Sequence, residues 1–187
     1  MAKPQPDKQT RLIETAMKLA YLNGIRETSL ADIAEAARVP IGNVYYNFKT
    51  KEELGAAVVE RRLVQFREFR EEMDRLSSPR ERLFAFVESI HGNREQLARG
   101  GCPLGGLCSE LHKEGGALAK KSAALFTEPM GWLKEQFRAG GHEKDAQELS
   151  AHLFCAYQGM AVVAHAANDP DLVVMEVKRL KDWIGTL

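Results

Sequence analysis

Helical periodicity runs through almost the whole sequence and restricts the fold more than any other feature. Apolar residues recur every three or four positions, for example at Phe66, Phe69, Met73 and Leu76, a spacing that gives an α-helix one apolar face. No segment keeps the alternation of apolar and polar residues that is typical of a half-buried β-strand. The sequence therefore predicts an all-α protein with about nine helices, separated by breaks that contain Gly, Pro or Asn.

The first 50 residues contain three short predicted helices. The first ends at Asn23-Gly24, a pair that readily adopts the left-handed backbone of a helix C-terminus. Ser29 precedes Asp32 at the spacing of a capping box, which predicts the start of the second helix. Pro40 suits the first turn of the third helix. Two short helices joined by a tight break are typical of a helix-turn-helix.

The third helix and the residues after it carry side chains suited to a DNA major groove. Asn can bond the edge of adenine, Tyr can bond phosphate or pack on a thymine methyl group, and Lys neutralises phosphate. We expect Val44 and Phe48, four residues apart, to face the core and Tyr46 and Asn47 to face outward.

This segment resembles the N-terminal domain of the TetR family of bacterial transcriptional regulators. The resemblance covers residues 7 to 55 and includes Asp32-Ile33-Ala34 and Lys51-Glu52-x-Leu54. It implies a homodimeric repressor that reads a palindromic DNA operator and releases it when its C-terminal domain binds a small inducer. The DNA-contacting positions that it implies are Thr28, Ser29, Ile41, Gly42, Asn43, Tyr45, Tyr46, Asn47, Lys49 and Lys51.

The charge distribution supports a boundary near residue 50. The chain has 26 basic and 26 acidic residues, so a protein that coats nucleic acid indiscriminately is excluded. Residues 1–51 carry eight basic and five acidic side chains, whereas the rest carry 18 and 21. We expect a helix-turn-helix DNA-binding domain over residues 1–50 and a helical ligand-binding and dimerisation domain over residues 51–187.

The most distinctive C-terminal segment is GCPLGGLCSEL, residues 101–111. It is similar to a stretch in a TetR-family branch that responds to electrophiles, aldehydes and short unsaturated acids, where a Cys at the position of Cys102 can be the sensing thiol. A helix start and a nearby Arg99 favour a thiolate, but a free Cys is also a common small core residue. The expected ligand-binding residues are Cys102, Phe66, Phe69, His91, Leu104, Trp132, His152 and Tyr157.

Small residues recur along one face of the helix predicted over residues 143–167. Small side chains let helices approach closely, whether inside one subunit or between two. The family resemblance favours a dimer, because the last two helices of TetR proteins commonly form a four-helix interface. The expected interface residues are Ala151, Cys155, Gly159, Val162, Ala166, Val173, Val177, Leu180, Trp183 and Ile184.

Two other classes of protein remain as alternatives. A Cys-dependent enzyme would use Cys102 or Cys108 as nucleophile and His112 as base, but the sequence shows no oxyanion-hole pattern. A helical ligand-binding protein without DNA binding would have no use for Tyr45 and the lysines after it. We therefore expect a regulator and not an enzyme.

The sequence also argues against metals, cofactors and membranes. The five His lack the spacing of a metal site, so no metal or cofactor is expected. No apolar run approaches the roughly 18 residues of a membrane span, and the first residues have no apolar signal core. A cytoplasmic location is the expectation.

Overall fold

The computed structural model describes residues 7–187, and these are helical almost throughout. Within that range there are eleven helices and no strand, which confirms the all-α prediction. The helices are α1 (Lys8–Asn23), α2 (Leu30–Ala37), α3 (Ile41–Asn47), α4 (Lys51–Met73), α5 (Pro79–Gly92), α6 (Arg94–Gly100), α7 (Pro103–Glu114), α8 (Gly116–Ser122), α9 (Ala124–Ala139), α10 (Ala146–Ala167) and α11 (Asp171–Thr186).

Two breaks between successive helices help to give eleven helices where the sequence predicted about nine. Helix α5 ends at Gly92, because Asn93 leaves the helical region at φ −104° and ψ 11°. The Asn93 side chain donates to the Ser89 carbonyl at 2.7 Å, a local bond that competes with helix continuation. The second break, at Ala123, separates α8 from α9.

The capping box predicted from Ser29 and Asp32 is present. The Ser29 hydroxyl accepts from the Asp32 amide at 3.1 Å, and the Asp32 carboxylate accepts from the Ser29 amide at 2.9 Å. The Ser29 hydroxyl and amide hold the pKa of Asp32 below its usual value of 3.8, because both bonds favour the ionised carboxylate. This stabilisation is present above the usual pKa and is lost as the pH falls through the lowered one.

A tight turn joins α2 to α3 and sets the direction of α3. Arg38 adopts the left-handed conformation at φ 53°, and the Val39 amide donates to the Ala34 carbonyl at 2.9 Å. Pro40 then precedes α3 without a side-chain capping bond. The buried side chains of Val44 and Phe48 hold α3 against its unit.

The chain divides into two compact units, and the first is larger than the domain predicted over residues 1–50. It contains the residues up to Val64 together with Gly106–Leu125. A methyl group on Gly55 would lie 2.9 Å from Leu118, so α8 packs closely on α4. Lys121 also pairs with Glu60 at 3.2 Å. The assignment of DNA binding to residues 1–50 stays a prediction, within this larger packing unit.

The second unit contains Gln65–Gly105 and Phe126–Leu187. In it, α11 packs against α5, α6 and α10. Val87, Leu133 and Leu153 are fully buried in its core, as expected for the apolar stripes of amphipathic helices.

Replacing Ser29 with Ala tests the capping box. We expect Ser29→Ala to lower the free energy of unfolding by about 1 kcal/mol, because the amides at the start of α2 lose their acceptor. Urea denaturation followed by circular dichroism measures this change. The control is Ser109→Ala, at an exposed position within α7. Equal stability of the two variants would contradict the role of the capping box.

Candidate functional site

The outward face of α3 carries the aromatic residues that were predicted to contact DNA. Tyr45 is 52% exposed and Tyr46 is 80% exposed, whereas Val44 is completely buried. The Lys49 ammonium lies 5.9 Å from the centre of the Tyr46 ring. The expected division of this helix into an inner and an outer face is therefore present. Ile41 is exposed on the same short helix.

The first turn of α3 exposes its backbone to solvent at Gly42. Apart from the two neighbouring residues and the nearby backbone of α3 itself, no described atom lies within 4 Å of the position that a Cβ on Gly42 would occupy. Asn43 and Asn47 are half-buried, and the Asn47 side-chain amide donates to the Asn43 carbonyl at 2.7 Å. This bond orients the Asn47 carboxamide along the helix.

Besides Asn47, three of the predicted DNA contacts are engaged within the chain. The buried Thr28 hydroxyl donates to the Gly24 carbonyl at 2.8 Å, so the phosphate contact expected of this side chain is wrong. The hydroxyl instead closes the turn between α1 and α2. Ser29 caps α2, and the exposed Lys51 ammonium donates to the Arg26 carbonyl at 2.5 Å.

In the second unit, Cys102 lies at the start of α7 and is buried. Its Sγ lies 3.2 Å from the Tyr157 hydroxyl oxygen. The Gly105 backbone amide donates to the same sulfur at 3.3 Å. The Tyr157 ring makes edge contacts with Phe86 at 6.2 Å and with Phe154 at 6.0 Å between ring centres.

This aromatic cluster brings together six of the eight predicted ligand-binding residues. Phe86 links them, since its ring lies 6.3 Å from Phe69 and 6.1 Å from Trp132. Sequence reasoning missed Phe86 and Phe154, although Phe86 stands beside the apolar stripe of α5. The six residues, all in or packed against one buried cluster, are Cys102, Tyr157, Trp132, Phe66, Phe69 and Leu104.

The other two predicted ligand-binding residues, His91 and His152, are not among the residues of this cluster, and their ligand-binding role stays a prediction. His91 faces Glu88 on α5, with its Nδ1 3.3 Å from the carboxylate. The Lys181 ammonium and, more weakly, His91 lower the pKa of Glu88. His152 is exposed and packs against the Trp183 ring at 4.7 Å.

Small and apolar residues stay exposed along α10 and the start of α11. Val162 is 65% exposed, Ala151 is half-buried, and Trp183 is half-buried against Phe137. Sequence reasoning missed Val163, Val174 and Met175. We call this the α10–α11 surface; its members are Cys155, Gly159, Val162, Val163, Ala166, Val174 and Met175.

Four residues predicted for the dimer interface are instead core residues. They lie on the inner face of α11, where their burial within one chain leaves no side-chain surface for a partner. The expectation was wrong because an apolar stripe serves a core and an interface equally well. These residues are Val173, Val177, Leu180 and Ile184.

Comparison with known proteins identifies the helix-turn-helix. Residues 12–58, which include α2, α3 and the turn between them, match the family described as bacterial regulatory proteins, tetR family. The chain carries the N-terminal domain of the TetR family. Its helix-turn-helix is accordingly the DNA-binding element of a transcriptional regulator.

Three similar proteins illustrate the relationship. The HTH-type transcriptional repressor ComR of Escherichia coli is 27% identical over 87% of this chain and 81% of its own length. The transcriptional regulator AcuR of Cereibacter sphaeroides is 28% identical over 93% of this chain and 70% of its own. A TetR regulator structure from Legionella pneumophila shares the fold, with a TM-score of 0.86, 19% identity, and coverage of 96% of this chain and 98% of that one.

TetR-family proteins are regulators and not enzymes, which removes the Cys-dependent enzyme as an alternative. One thiol–imidazole pair exists in the first unit, since Cys108 Sγ lies 3.4 Å from His112 Nδ1. Burial raises the pKa of the Cys108 thiol, an effect that a bond from Ser122 only partly offsets. The thiol therefore stays protonated near neutral pH and is a weak nucleophile.

Residues 7–187 contain neither a cluster of metal-ligating side chains nor a helix of membrane-spanning character. They contain no group of three or more His, Cys, Asp or Glu side chains that could hold a metal ion. None of their helices is long and apolar enough to cross a membrane. His165, for example, bonds the Ala98 backbone carbonyl at 3.2 Å.

Proposed function

We propose that this TetR-family protein is a homodimeric repressor that binds a palindromic operator and is released by a small reactive inducer. The outward face of α3 is the observation that carries the proposal. Exposed Tyr45 and Tyr46, with Lys49 two residues after the end of the helix, combine groups for base edges and for phosphates. The similarity to the repressor ComR supports repression rather than activation.

Salt dependence tests the DNA-binding role of Lys49. We expect a duplex from beside the protein's own gene to be bound more tightly than a scrambled duplex. Lys49→Ala should weaken this binding and lower the salt slope by about two, because each copy in the dimer loses one phosphate contact. Fluorescence anisotropy at several salt concentrations measures both quantities.

Lys144→Ala, at an exposed position in the second unit, is the matched control and should change neither quantity. Wild-type protein that binds both duplexes equally would contradict site-specific regulation. An unchanged slope for Lys49→Ala would remove Lys49 from the interface.

The α10–α11 surface supports the dimer. Large apolar side chains such as Val162, Val163 and Met175 are each more than half exposed there. Contiguous exposed apolar surface marks protein–protein contacts, and small Gly159 and Ala166 let a partner helix approach closely. A two-fold dimer would present two copies of α3 to a two-fold operator.

A charge at Val162 tests this surface. We expect Val162→Glu to convert the dimer to monomer, because each subunit would bury an unpaired carboxylate in the proposed interface. Size-exclusion chromatography with light scattering measures the mass. The control, Leu22→Glu, changes a 57% exposed residue of α1 and should leave the dimer intact. A dimeric Val162→Glu protein would contradict the proposed interface.

The aromatic cluster around Cys102 is the proposed inducer site. A nucleophilic sulfur among apolar rings suits a small electrophile, because the rings exclude water and the Tyr157 hydroxyl and Gly105 amide orient the thiol. The helices α4 and α7 each contribute residues to both units. We propose that these two helices transmit the effect of inducer binding in the second unit to the unit that contains α3. A change in the separation of the two α3 helices would weaken binding to a rigid duplex.

Methyl vinyl ketone, a small unsaturated carbonyl compound, tests the inducer site. We expect it to release wild-type protein from the operator duplex and to leave Cys102→Ser bound, because the serine hydroxyl is a much weaker nucleophile at neutral pH. The control, Cys155→Ser, replaces the thiol of the α10–α11 surface with a hydroxyl of similar size, so it should leave the dimer intact and respond like wild type. Equal release of Cys102→Ser and wild type in a gel-shift titration would exclude the thiol sensor.

A further inference from the structure

Gln158 holds a buried amide nitrogen with no hydrogen-bond partner among residues 7–187. The atom is Nε2, which belongs to a half-buried side chain on α10. Buried donors in folded proteins nearly always have an acceptor, so each exception requires an explanation. Gln158 directly follows Tyr157, whose hydroxyl contacts the Cys102 sulfur.

The Gln158 carboxamide and the Cys102 side chain border the same glycine. A methyl group on Gly105 would lie 2.6 Å from Gln158 Oε1, 3.3 Å from Cys102 Cβ and 3.7 Å from Cys102 Sγ. A side chain at this position would therefore push the Gln158 amide out of its present place. The absence of a side chain at Gly105 therefore lets a carboxamide lie close to the thiol.

We propose that Gln158 recognises the carbonyl oxygen of the inducer. This inference rests on the proposed function, because it assigns a second contact within the same site. The ligand class is a small α,β-unsaturated carbonyl compound. Its oxygen accepts a hydrogen bond from the Gln158 Nε2 group while its β-carbon meets the Cys102 sulfur. The unpartnered donor then gains an acceptor only when the inducer is present.

The covalent step needs no oxidant or further reactant. A bond forms between the Cys102 sulfur and the β-carbon, and the carbon–carbon π bond breaks. Its electron pair moves toward the carbonyl oxygen, where the Gln158 amide stabilises the developing charge. The proton of the thiol finishes on the α-carbon. The product is a thioether that contains every atom of the two reactants.

Modification rates of Cys102 test the role of Gln158. Intact-protein mass spectrometry with peptide mapping follows the reaction with methyl vinyl ketone and, separately, with allyl bromide, which has no carbonyl. We expect Gln158→Leu to slow the reaction with methyl vinyl ketone by about tenfold or more, and to change the reaction with allyl bromide by less than twofold. Gln158→Met should behave in the same way.

Gln147→Leu, at an exposed position on the same helix, is the control and should react like wild type with both reagents. Equal slowing by Gln158→Leu with both reagents would show a change in access and would overturn the proposal, as would unchanged rates. Wild-type Cys102 that does not react with methyl vinyl ketone would overturn the thiol sensor and this inference together. Reactive wild type with an equally reactive Gln158→Leu would overturn the inference alone.

Discussion

The rotation of α3 about its own axis is the constraint on which DNA recognition by this protein depends. Val44 and Phe48 are four residues apart, and burying both leaves only one orientation for this seven-residue helix. That orientation directs Tyr45 and Tyr46 into solvent. The left-handed residue Arg38 and the capping box of α2 set the turn that delivers α3 to this position. Recognition chemistry on one face is therefore a consequence of packing on the other.

The three cysteines show how surroundings give one side chain different roles. Cys108 is buried beside Ser122, and its raised pKa makes it a core thiol. Cys155 is exposed on α10, within the surface that we assign to the partner subunit. Cys102 is buried too, and both buried sulfurs have polar neighbours: Tyr157 and Gly105 at Cys102, and His112 and Ser122 at Cys108. Burial and polar contacts therefore do not separate a structural cysteine from a candidate sensor; the two sites differ in the raised pKa of the Cys108 thiol and in the aromatic cluster beside Cys102.

Local signals predicted much of the fold and of the DNA-binding face. The spacing of Ser29 and Asp32 and the pair of Val44 and Phe48 act within four residues, so the sequence alone reveals them. Contacts between distant segments could not be read in this way. The packing of α8 on α4 depends on the contact of Leu118 with Gly55, and no sequence pattern near either residue predicts that contact. The approach of the Gln158 amide oxygen to Gly105 joins segments that are equally distant in sequence.

The sequence also could not show which way each face of α11 is turned. The apolar stripe of α11 was visible in the sequence, but periodicity does not tell whether Val177 faces its own chain or a partner. Its burial in one chain decides that question. Thr28 shows a related limit, since a hydroxyl that suits a phosphate also suits the Gly24 carbonyl.

Selection of binding sites from random duplexes tests the central claim, that two copies of α3 read a two-fold DNA site. Wild-type protein would be mixed with a randomised duplex library, and the bound duplexes would be sequenced. The account predicts an inverted repeat whose half-sites lie about 10 base pairs apart, centre to centre, or a multiple of that spacing. Recovery of duplexes with no shared motif, or of a single half-site, would contradict it.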